Sequence, residues 1–142
     1  MSEAGDLAAG FEAAGHRVER VVAPRALRPL DFRGYEPGAA AVPILARVLK
    51  RRAPDLALAQ SIAGAAAAAR SGHPAVWCVL RPVARAELAS RRSRLALLRE
   101  ALAGCALVAA DEAVAASIDR WLGARAVVIA PAELPQRVHE LA

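Results

Sequence analysis

Lysine is almost absent from this chain: Lys50 is the single lysine among 19 basic residues, and arginine supplies the rest of a net charge of +5. An arginine-rich surface can bind phosphates, nucleic acid or anionic lipid, yet this charge lies within the ordinary range for solubility in a domain of such size. The codons of a GC-rich genome, which favour Arg and Ala over Lys and Ile, account for the bias without a binding role, and this is the favoured reading. Aromatic residues are scarce too, at 4%, which leaves the core to Ala, Val and Leu, in thin layers with close helix–sheet contacts. Only two cysteines occur, Cys78 and Cys105. Neither has a CxxC spacing or a histidine partner, so they read as buried free thiols and not as metal ligands. No apolar run approaches the ~18 residues of a membrane span. The opening MSEAGDLAAG is mildly acidic and helical, unlike a basic-then-apolar secretory leader, and a cytoplasmic chain is expected.

What is present is organised around residues 54–82, PDLALAQSIAGAAAAARSGHPAVWCVLRP. Leu56–Gln60 and Ala75–Leu80 are apolar runs too hydrophobic to alternate, and the alanine-rich Ile62–Arg70 between them is helical. Strands buried on both faces and joined by a helix belong to a parallel sheet, and the crossover is right-handed. Before this unit, Ser2 or Asp6 can cap a first helix that carries Leu7, Phe11 and Ala14 on one face and stops at Gly15. His16–Ala23 alternates as a strand, residues 24–38 are broken by proline and glycine into a loop, and Ala39–Arg52 is a helix with a cationic end suited to its dipole. After it come a long amphipathic helix over Arg85–Ala103 ended by Gly104, a strand at Ala106–Ala110, and a helix from Asp111 to Leu122 ended by Gly123. A strand at Ala126–Ala130 and a short helix at Glu133–Leu141 close the chain. The 142 residues form one domain, residues 1–142, of the α/β class: a Rossmann-like doubly wound parallel sheet with helices on both faces. Such sheets normally start with a strand, and its absence here is expected to mean a truncated version or a coding start further upstream.

Ligands of open α/β sheets bind beyond the carboxyl ends of the strands. The polar residues delivered there are Gln60 and Ser61, Arg81, and Asp111 with Glu112. Arg81 can hold a phosphate or carboxylate by paired hydrogen bonds, or simply emerge into solvent before Pro82. Asp111 and Glu112 can grip sugar hydroxyls, or serve as an N-cap and a first-turn acid; Ser61 has the same ambiguity. A hydrolytic triad is not assembled: Ser61 lacks the GxSxG elbow and His16, His73 and His139 all lie away from this edge. There is no Walker lysine, no GxGxxG and no metal-ligand cluster, so neither a cofactor nor a metal is expected.

Three stretches together resemble the amino-terminal domain of glycosyltransferase subfamily 4. LAAGFEAAGHRVERVVAP is similar to that family's first helix, Gly-His pair and apolar strand. RRAPDLALAQSIAGAAAAARSGHPAVWCV is similar to its Pro-Asp, strand, small-residue helix, Gly-x-Pro, strand stretch. RSRLALLREALAGCALVAADEAVAASIDRWLGARAVVIAPA is similar to its later helix, Ala-Asp strand, Ser-Glu-x-Val helix and Val-rich strand. The resemblance implies the acceptor-side half of a GT-B enzyme, which moves a sugar from a nucleotide-sugar to an acceptor hydroxyl across a cleft between two Rossmann-like domains. It implies a second glycosyltransferase domain as partner, since the donor-binding half and the first strand with its glycine loop are not in this sequence. Asp111 and Glu112 align with the family's Ser-Glu pair. Arg81–Pro82 stands where His-Gly is common, and Ala130–Pro131–Ala132 where Pro-Asn-Gly is common, so no catalytic residue is assigned. The rival expectation is a non-catalytic module whose arginine face, Arg85, Arg91, Arg92, Arg94 and Arg99, docks on an anionic membrane, with nucleic acid the less favoured partner. A third is a homodimer formed through an uncovered sheet edge.

Overall fold

The computed structural model describes residues 3–21, 39–83 and 92–141. Helix α1 spans Glu3–Ala13. A 3-10 turn at Ala39–Ala41 leads into α2, Val42–Arg52. Strand β1 (Ala57–Ala59), α3 (Ile62–Ser71) and β2 (Ala75–Val79) form the expected strand–helix–strand unit. Then follow α4 (Arg92–Gly104), β3 (Ala106–Ala109), α5 (Glu112–Leu122), β4 (Val127–Val128) and α6 (Leu134–Arg137), with a last 3-10 turn at Val138–Leu141.

Among the described residues all three strand pairings are parallel, and the order across the sheet is β1-β2-β3-β4. Right-handed crossovers that advance in one direction place their helices on one face. One core accordingly joins Ala65 of α3, Leu98 and Ala101 of α4, and Val114 and Ile118 of α5 to Trp77, Val79, Leu107 and Ala109 of the strands. The intervening strand residues Val76, Cys78 and Val108 point the other way, against Leu7 and Phe11 of α1, Ile129, and Leu134 of α6. Helices thus cover both faces of a parallel sheet, the Rossmann-like doubly wound arrangement. All five residues of β2 are buried, as a strand with a helix layer on each side requires.

Alanine sets the spacing of the helix layer. Ala65, Ala66, Ala67 and Ala68 of α3 are buried, so α3 sits close to the sheet while α2 and α4 press on its flanks through Val42, Ala46 and Leu97. Arg70 on α3 clasps Glu100 on α4 with two hydrogen bonds of 2.7 and 2.8 Å.

Several boundaries differ from the sequence reading. His16–Val21 forms no ladder with any described strand. Among the described residues of the alternating set, only Val18 packs against this core, and Arg17 and Arg52 both reach Glu19, at 3.3 and 2.6 Å. Alternation alone marks one apolar side, but a strand also needs a neighbour for its backbone groups. Asp6 falls inside α1 and not at its cap. The expected loop over residues 24–38 and the expected helical start over residues 85–91 lie outside the described residues, Arg85 and Arg91 included. His16 is structural: its Nε2 lies 3.2 Å from the Pro135 carbonyl and its ring tilts against Phe11, tying the end of α1 to α6. No helix among the described residues is long and apolar enough to cross a membrane.

Candidate functional site

The carboxyl ends of β1, β2 and β3 deliver Gln60–Ser61, Arg81 and Asp111–Glu112 to one edge, because parallel strands end on the same side. All five residues are exposed there. The geometry divides them. Ser61 is in extended backbone, and its Oγ accepts the Gly64 N–H at 3.0 Å, capping α3. Gly64 is needed for that approach, since a Cβ there would stand 2.9 Å from the Ser61 Oγ. Asp111 does the same for α5: its Oδ1 accepts the Val114 N–H at 2.9 Å. One carboxylate oxygen is thereby engaged in a cap, an arrangement that stabilises a helix start by about 1 kcal/mol. Glu112 follows in the first turn, where the positive end of the dipole favours it. Gln60 and Arg81 make the remaining polar surface of the edge.

A residue overlooked in the sequence holds this edge in shape. Ser117, in the middle of α5, accepts the Val83 N–H at 2.8 Å and donates to the Val114 carbonyl at 2.7 Å. The segment leaving β2 through Arg81 and Pro82 is therefore pinned to α5 at Val83. Nothing in the local sequence announces this, because a lone serine on a helix face reads as solvent-facing.

Behind the edge, between Leu80, Ala110, Pro131, Leu7 and Leu134, lies an apolar dimple whose empty space is about 170 Å³, open solvent included. Small-molecule pockets usually enclose about 300–1,000 Å³, so this dimple is too small to be one. Its lining includes Cys78. Burial pushes the Cys78 thiol up from its ordinary 9.0 to about 12, and Cys105, less deeply buried, to about 11. Neither carries a thiolate near neutral pH, which removes both as nucleophiles.

The raised Cys78 value has a consequence for stability. Below pH 9 the thiol is protonated folded or unfolded; above it, the unfolded chain ionises while the folded chain holds its proton until about 12. Stability must fall across that window, by about 1.4 kcal/mol per pH unit for one thiol. Urea titrations at pH 8.5 and 10.5 should show wild type losing about 2 kcal/mol more than Cys78→Ala. Equal losses would mean that the thiol is reached by solvent in the folded state.

Comparison with protein-family models, curated proteins and solved structures finds no match to this chain.

Proposed function

We propose that this chain is the acceptor-side half of a two-domain sugar transferase of the GT-B kind, working against a second domain that carries the nucleotide-sugar. The observation that supports the reading is the character of the carboxyl edge. It presents an amide, a guanidinium and two carboxylates from three successive strand ends, a set suited to sugar hydroxyls. The apolar dimple behind it is far too small for a nucleotide. A wall of that kind works when a second surface faces it, which is how GT-B domains meet. In this reading Gln60, Arg81 and Glu112 contact the acceptor, while Ser61 and Asp111 hold the helix starts beneath it and offer their remaining lone pairs. Transfer itself depends on the opposing domain, and the chain alone is inactive.

Calorimetry and amide chemical-shift mapping test this together. UDP-glucose and GDP-mannose should give no saturable heat with the isolated chain. Monosaccharides at high concentration should move the amides of residues 60–61, 81 and 111–112 and leave the opposite edge, around residues 53–56 and 72–74, unmoved. Stoichiometric binding of a nucleotide-sugar, or sugar shifts confined to the opposite edge, would sink the reading.

A further inference from the structure

The two borders of this sheet are not alike. At β4 the border faces water, with Val127 47% exposed. At β1 it does not. Ala57 and Ala59 are only 5% and 7% exposed, and Leu56 and Leu58 are half-buried against the core on the other face. Strand β1 thus has the burial of an inner strand, yet β2 is its one ladder partner among the described residues. The backbone carries the same mismatch. The Ala57 N–H donates to the Pro74 carbonyl at 2.8 Å, toward β2. Successive residues of a parallel strand turn their backbone groups to alternate sides. The N–H and C=O of Leu58 therefore point away from β2, where no described strand meets them. Nor does Ala57–Ala59 hold the charge or proline that blunts a border strand.

The handedness of the chain says what belongs at this border. The crossovers through α3, α4 and α5 pass over one face, and each moves one place in the same direction across the sheet. Helix α2 lies on that face too, with Leu49 against the cluster of Ala57, Ala68 and Ala75. A right-handed connection through α2 into β1 therefore comes from beyond the free border of β1. The segment that leads to α2 begins with residues 16–21, and Glu19 ties it to the end of α2 through Arg52 at 2.6 Å. Helix α1 sits on the opposite face, where Leu7 and Phe11 meet Val76, Cys78 and Val108. A right-handed crossover on that face moves the opposite way. A strand feeding α1 thus falls between the segment leading to α2 and β1, parallel to β1, in the position that the bare backbone of Leu58 marks.

The chemistry of that strand follows from its neighbour. Strand β1 turns Ala57 toward α2 and α3, and Leu56 and Leu58 toward the α1 face. The next position meets the same two layers, so it requires small side chains on the first face and larger aliphatic ones on the second. We propose that the free border of β1 is a docking site for one added strand, an extended and uncharged polypeptide segment parallel to β1 in which alanine-sized residues alternate with valine- or leucine-sized ones. Its arrival makes β1 an inner strand and gives the Leu58 backbone its partners. The inference rests on the sheet and stands whether or not the chain transfers sugar.

Amide hydrogen exchange of the full chain, read residue by residue by nuclear magnetic resonance, tests this with the capped peptide Lys-Lys-Val-Ala-Val-Ala-Val-Lys-Lys. Without peptide the Leu58 amide should exchange as an open site, and Ala59, whose N–H faces β2, is the protected reference. At about 1 mM peptide the Leu58 amide should slow at least about tenfold. A spin label on the amino end of the peptide should broaden the Leu56 amide more than that of Gln60, and a label on the carboxyl end should do the reverse. The same peptide N-methylated through its Val-Ala core keeps its side chains but lacks their N–H donors, and it should leave Leu58 unchanged. No slowing by the peptide overturns the proposal, as does equal slowing by the N-methylated form. So does the opposite broadening pattern, which would mean antiparallel pairing. Protection of Leu58 in the chain alone overturns it as well, and protection that grows with protein concentration would assign the border to a second copy of this chain.

Discussion

Trp77→Ala should cost this domain about 3–5 kcal/mol, the largest loss expected from any single truncation. Trp77 lies in the central strand β2, only 4% exposed, in the core between the sheet and helices α3, α4 and α5. Its neighbours there include Ala59, Ala65, Ala101 and Ala109. That composition decides the magnitude. In a core of large, flexible side chains the surroundings can partly collapse into a new cavity, and the cost falls toward the lower end of the range. Alanine has no side-chain torsion through which to move inward, and the backbones that carry these alanines already pack closely. The cavity should therefore stay open and the loss should approach the upper end. A domain of this kind has a total stability of about 5–15 kcal/mol, so the variant should lie near the edge of unfolding at room temperature. Urea unfolding followed by far-ultraviolet circular dichroism measures it. Trp121 gives the contrast: it is half-buried, stacked under the Arg120 guanidinium at 4.8 Å from the ring centroid, and its replacement by Ala should cost about 1 kcal/mol. A loss below about 1 kcal/mol at Trp77 would contradict the assignment of this core.

The four strands were readable because each is a short apolar run with no polar alternation, which only burial on both faces tolerates. Their lengths were less so: β4 shrinks to Val127–Val128, with Val127 exposed, because it borders the sheet on one side. His16–Ala23 carries the alternation of a strand, but its described part, residues 16–21, is not one, since pairing depends on a neighbour that local sequence does not name. Glycine helped where backbone conformation was the reason for it. Gly15 and Gly123 take positive φ, at 92° and 62°, just after their helices. The same turn at the end of α2 is made by Ala53 at φ 44°, and an alanine gives no hint of that. At the carboxyl edge, Gln60, Ser61, Arg81, Asp111 and Glu112 follow the ends of β1, β2 and β3, which share a side because the strands are parallel. The sequence left Ser61 and Asp111 open between ligand contact and helix cap, and the hydrogen bonds to Gly64 and Val114 show the caps. Ser117 stayed hidden because its partner, the Val83 N–H, lies 34 residues away in the chain.

Gly104 is the position where two physical effects predict opposite signs. The sequence reads it as the glycine that stops α4, yet it is the last helical residue and is not among the glycines at positive φ. Helix propensity alone says that Gly104→Ala should stabilise the chain by about 1 kcal/mol. The packing says otherwise. A Cβ at Gly104 would stand 2.5 Å from the Cβ and 3.0 Å from the Cα of Ala69 on α3. Neither atom belongs to a side chain that can rotate away, so α3 and α4 would have to separate, loosening the Arg70–Glu100 clasp and the alanine contacts beneath. Overpacking of that kind costs about 1–3 kcal/mol, which outweighs the propensity gain. Gly104→Ala should therefore destabilise by about 1 kcal/mol net, and Gly104→Leu by about 3 kcal/mol. Gly10 in α1 is the internal control, because a Cβ there meets only the Pro135 Cγ, at an ordinary 3.5 Å. Gly10→Ala should then show the propensity term undisturbed, a gain of about 0.5–1 kcal/mol. Urea midpoints of the three variants against wild type decide the matter: a gain in stability at both glycines would mean that α3 and α4 do not approach as closely as Gly104 and Ala69 require.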